Sequence, residues 1–94
     1  SIDGVTAAAA SVKTMPADYR VSITNAPGAQ AYPISSFTWL LVPVKAADPA
    51  KGKVLKDFLN WMLTDGEKEV SKLYYAPLPE SVVAKEHQTV NNLQ

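Results

Sequence analysis

His87 is the single histidine of a 94-residue chain that has no cysteine, and those two counts limit the chemistry within reach. A zinc site needs several imidazole or thiolate ligands, and a disulfide or thiol nucleophile needs cysteine. His87 follows Val83 by four residues and precedes Val90 by three, with Glu86 beside it, and no hydroxyl stands at a recognisable spacing to form a nucleophile–base pair with it. It reads as a partly exposed structural histidine. The pairs Glu67/Glu69 and Asp57/Asp65 are interleaved with lysines. Acid–base work by two carboxylates needs surroundings that drive their pKa values apart, whereas a solvated surface dotted with lysines favours charge pairing. Ser35, Ser36 and Thr38 bring three hydroxyls together, a pattern that can supply neutral donors to a small ligand but that backbone hydrogen bonding explains more simply. Gly4, Gly28, Gly52 and Gly66 are scattered and build neither a phosphate loop nor a dinucleotide fingerprint. The reading assigns no catalytic, cofactor-binding, metal-binding or ligand-binding residue, expects no enzyme activity and calls for no cofactor.

The bulk composition points the same way. Nine basic and nine acidic residues cancel, so there is no basic footprint for nucleic acid or an anionic membrane. Without such a patch, Tyr32, Trp39, Phe58, Trp61, Tyr74 and Tyr75 read as packing residues and not as a base-stacking platform. With 47% hydrophobic and 19% charged residues, residues 1–94 read as a single segment with one modest core. The apolar run from Trp39 to Val44 is far shorter than the ~20 residues of a membrane-spanning helix. The chain opens on Ser1-Ile2-Asp3-Gly4 without a methionine or leader, and we expect a processed chain or a piece of a longer one.

The elements that must position these residues follow from periodicity. Ser1 to Lys13 is predicted helical, with Val5, Ala8, Ala9 and Val12 on one stripe, Asp3 as N-cap and Met15-Pro16 as terminator. Tyr19 to Thr24 alternates as a half-buried strand, and Asn25 to Pro33, with its Pro-Gly pair, is a loop. Tyr32 to Val44 reads as a central strand with apolar residues on both faces: Phe37, Trp39 and Leu41 on one, Leu40 and Val42 on the other. Asp48-Pro49 is a helix-start pair. From Lys51 to Thr64, Val54, Leu55, Phe58, Leu59 and Met62 share a helical face, with Phe58 as anchor and Lys53, Lys56, Asp57 and Asn60 opposite. Gly66 suits a left-handed cap, Glu67 to Tyr74 a shorter helix, and Glu80 to Asn91 a last one carrying Val82, Val83 and Val90. Two strands make a marginal sheet, so we expect a larger chain, or association of copies as a homodimer or larger assembly through strand edges and apolar faces.

Three runs carry a resemblance. Y-R-V-S-I-T-N-A-P-G-A-Q-A-Y-P-I-S-S-F-T-W-L-L-V-P at Tyr19 to Pro43, K-G-K-V-L-K-D-F-L-N-W-M-L-T-D-G at Lys51 to Gly66 and L-Y-Y-A-P-L-P-E-S-V-V at Leu73 to Val83 resemble, in this order, the C-terminal part of the phosphate-binding proteins of bacterial phosphate ABC transporters. The resemblance implies the C-terminal part of a two-lobed α/β periplasmic-binding-protein fold of type II, here a few strands with about four helices packed on them. It also implies a periplasmic or extracytoplasmic location, with or without a membrane anchor, inorganic phosphate as ligand and an ABC permease as partner. A complete member is expected to be about three times this long. The family's ligands are backbone N–H groups at helix N-termini, hydroxyls, an arginine and an aspartate from earlier parts of the chain, the helix ends suiting an anion. None of those motifs matches here, and Arg20, Asp48 and the Ser35 to Thr38 hydroxyls stay unassigned. The alternative is a stand-alone self-associating or partner-binding module derived from the same fold.

Overall fold

The computed structural model describes all residues from Ser1 to Gln94. Three α-helices account for its regular structure: α1 (Ile2–Ala10), α2 (Pro49–Met62) and α3 (Glu80–Asn91), with two short 3-10 turns, Gly66–Lys68 and Val70–Leu73, between the last two. None is long and apolar enough to cross a membrane.

Local chemistry explains where each helix starts. The Ser1 hydroxyl accepts from the Gly4 N–H at 3.0 Å, so Ser1 and not Asp3 caps α1. The helix stops at Ala10, short of Lys13, and the Ser11 hydroxyl donates to the Ala8 carbonyl at 2.7 Å. Asp48 caps α2 by accepting from Ala50 N–H at 3.0 Å, with Pro49 in the first turn, where its missing N–H costs no intrahelical bond. Helix α3 has the bounds expected for it. Gly66 departs from expectation: α2 ends at Leu63 in right-handed geometry, and Gly66 is buried under the Trp61 ring, where an added Cβ would meet Trp61 Cζ3 at 3.2 Å. Residues 67–74 form 3-10 turns instead of an α-helix, ended by Tyr74 at φ 64°.

The α/β expectation is overturned, since the chain contains no strand or sheet. Tyr19 sits at φ 61° and Asn25 at φ 52°, left-handed conformations that break a pleat at both ends of the first predicted strand. The second, Tyr32 to Val44, meets other backbone only at its two ends, where Tyr32 N–H donates to Gly4 O, Asn25 N–H to Pro33 O and Gln94 N–H to Val44 O. No backbone N–H from Ile34 to Val42 donates a hydrogen bond to the protein, and period-two alternation yields a strand only where a second backbone supplies the ladder. The type II lobe architecture is therefore not present in these 94 residues.

Packing is thin. Ala8, Ala9 and Ile23 form the buried cluster, with Val12, Ala26, Ala31 and Phe37 against it. Helix α2 packs on α3; Leu59 in α2 and Val82 and Val90 in α3 are buried. Nine of 94 residues are buried, too few for a core that holds the aromatics, and Phe58, the expected anchor, is 52% exposed.

Candidate functional site

One recess gathers side chains from three places in addition to Leu78. Met15 and Tyr19 come from the connection after α1, Phe37 and Trp39 from the irregular stretch, and Val82 and Glu86 from α3. Hydrogen bonds fix this meeting point: Trp39 Nε1 donates to the Tyr19 carbonyl at 2.9 Å, and the Tyr19 and Thr89 hydroxyls lie 2.7 Å apart. Phe37 meets Trp39 edge-on, with centroids 6.2 Å apart. The Lys85 ammonium donates to the Met15 carbonyl and stands 5.5 Å from the Tyr19 ring centre.

At about 50 Å³, the recess is several-fold smaller than the pockets that hold small-molecule ligands. Its one carboxyl is that of Glu86, pushed above the ordinary range by burial. Burial also raises the Tyr19 phenol, with Glu86 adding to the shift and the Thr89 hydrogen bond opposing it. The Glu86 carboxyl and the Tyr19 phenol are the two titratable groups of the recess.

A second hollow, about 230 Å³, lies beside the start of α2 and the chain's end, lined by Gly52, Lys53, Lys56 and Gln94. Its lysines are engaged elsewhere: Lys53 pairs with Asp57 at 2.8 Å, and Lys56 donates to the Asn91 carbonyl at 2.9 Å. The chain's end is tied there by two bonds, Gln94 N–H to Val44 O at 2.8 Å and Ala46 N–H to Gln94 O at 3.1 Å.

The residues weighed in the sequence are dispersed. His87 Nδ1 lies 3.1 Å from Asn60 Oδ1, joining α3 to α2. The Ser35 hydroxyl donates to the Tyr32 carbonyl at 2.8 Å and that of Ser36 to the Phe37 carbonyl at 3.0 Å, which is backbone bonding for two of the three hydroxyls. Glu67 accepts from the Leu78 N–H at 2.9 Å, while Glu69, Asp57 and Asp65 each pair with a lysine. Arg20 pairs with Asp18, whose carboxyl is held below the ordinary range chiefly by that hydrogen bond. The recess around Glu86 went unseen in the sequence because its walls come from residues up to 71 positions apart; the one signal was a glutamate on the apolar side of α3.

By sequence, the chain is a homologue of part of the phosphate-binding proteins of phosphate transport. Among these relatives are the phosphate-binding protein PstS of Xylella fastidiosa (strain Temecula1), 38% identical over 66 residues, and that of Methanocaldococcus jannaschii, 44% identical over 75. The PstS of Pasteurella multocida is 32% identical over 65 residues. The matches take in 69–74% of this chain but only 18–19% of each relative, so the chain is fragment-sized beside proteins longer than the threefold ratio expected. No family model matches, and no solved structure matches.

Proposed function

We propose that residues 1–94 form one C-terminal segment of an extracytoplasmic solute-binding protein that captures inorganic phosphate and delivers it to an ABC permease. The observation that carries this reading is segmental identity of 38% and 44% to two proteins named for phosphate binding. The segment performs no catalysis and contributes no phosphate ligand. In support, Asp48 is used as a helix cap, Arg20 is held by Asp18, and the Ser35 and Ser36 hydroxyls are bonded to backbone. Titrating this chain with inorganic phosphate in a calorimeter is expected to give no micromolar binding isotherm; a clear micromolar site contradicts the reading.

A second reading, a stand-alone self-associating module, is favoured by the exposure of Leu41 (99%) and Tyr74 (90%). Light scattering over a dilution series separates the two. A dimer that persists at low micromolar concentration supports the module, and a monomer removes it.

A further inference from the structure

Helix α3 holds two other parts of the chain by a single face. Val82, Lys85, Glu86 and Thr89 fall at helical spacing along it. Val82 and Glu86 line the recess, the Thr89 hydroxyl lies 2.7 Å from that of Tyr19, and the Lys85 ammonium donates to the Met15 and Pro16 carbonyls. Trp39 is attached at one remove, since its Nε1–H bonds the Tyr19 carbonyl at 2.9 Å. Glu86 is the odd member of this face. Met15, Phe37, Trp39, Leu78 and Val82 share the recess with it, no cation pairs with it, and burial is the one influence on its carboxyl.

The charges around Glu86 are few and already engaged. The connection after α1 brings the Tyr19 phenol, whose neighbours Asp18 and Arg20 pair with each other at the surface. The Phe37–Trp39 stretch and Leu78 bring none. On α3 itself, Lys85 is turned to the two carbonyls and His87 to Asn60. A carboxylate among apolar side chains with no counter-charge is relieved by water or by losing its charge. We propose that the recess is an acid-closed clasp: with Glu86 neutral, the Tyr19 connection and Trp39 rest on α3, and ionised Glu86 loosens both while the helices stay formed. For each unit by which closure raises the Glu86 pKa, ionisation shifts the balance about tenfold towards the open form. Closure is therefore complete below the ordinary glutamate range and is lost as pH rises through the raised value.

Trp39 reports on the clasp directly, because opening breaks its indole bond to Tyr19, and Trp61, stacked on Phe58 outside the recess, is an internal reference. The experiment follows hydrogen exchange of the two indole N–H groups by NMR on the 94-residue chain. Taking the ratio of their rates cancels the pH dependence of the exchange chemistry itself. Between about pH 4 and about pH 7.5 the ratio, Trp39 over Trp61, is expected to rise at least about fivefold. With Glu86→Gln, which keeps the shape and removes the charge, it is expected to stay within about twofold. Helical circular dichroism is expected to be the same at both pH values. A ratio that is flat in the parent chain overturns the clasp whether or not the variant folds. A rise that survives Glu86→Gln overturns it too, and so does a loss of helix together with Trp39 protection, which is global unfolding.

Discussion

The α2–α3 pair and the Ser35–Pro43 stretch are both rich in large apolar residues, yet Leu59 in α2 is 7% exposed and Leu41 is 99% exposed. The difference lies in the backbone. A helix closes its own N–H and C=O groups and needs only an apolar neighbour, and α2 has α3 packed on it. Lys56 and His87 then fasten the pair through Asn91 and Asn60. An extended stretch needs a second backbone as well as apolar neighbours; Phe37 and Trp39 find apolar neighbours, but the backbone N–H groups from Ile34 to Val42 find no acceptor and Leu40 and Leu41 stay exposed. Apolar content alone does not bury a segment; burial follows where the backbone is already satisfied.

Two substitutions break the comparison most sharply. Leu59→Ala is expected to destabilise the chain by about 3 kcal/mol, as buried leucine truncations do, whereas Leu41→Ala is expected to stay within about 0.5 kcal/mol. Urea unfolding of both variants checks this; equal effects would erase the distinction between the two regions.

A smaller effect sharpens the comparison where the regions meet, at the recess shared by Trp39 and α3. Burial raises the Glu86 pKa in the folded chain, so between the unfolded and folded values the native state holds the proton that the unfolded state has released. Stability therefore falls as pH rises through that window and recovers as the carboxyl is protonated below it. Glu86→Gln is expected to remove this part of the pH dependence, leaving urea midpoints at about pH 4 and about pH 7 closer together than in the parent chain. An unchanged pH profile contradicts the burial of Glu86.

Where the sequence was legible, local chemistry decided the outcome. Asp48-Pro49 marks the start of α2 and Pro79 the start of α3, because caps and proline act within a few residues whatever the rest of the fold does. The alternation at Tyr19–Thr24 and Tyr32–Val44 misled because strand formation depends on a partner backbone that the pattern itself does not contain. Phe58 misled for a related reason. It shares a helical face with Leu55 and Leu59, but α3 covers only the Leu59 side, and Phe58 stacks at 6.0 Å on Trp61 at the surface. The recess around Glu86 was invisible because contacts between residues 15, 39 and 86 are set by the path of the whole chain.

Amide hydrogen exchange on the 94-residue chain tests the central contrast most directly. The account predicts that the amides of Leu55–Asn60 in α2 exchange at least about tenfold more slowly than those of Ser36–Val42, whose N–H groups have no protein acceptor. Protection at Ser36–Val42 equal to that of α2 would mean that the stretch finds a backbone partner without any further polypeptide, and would contradict the account.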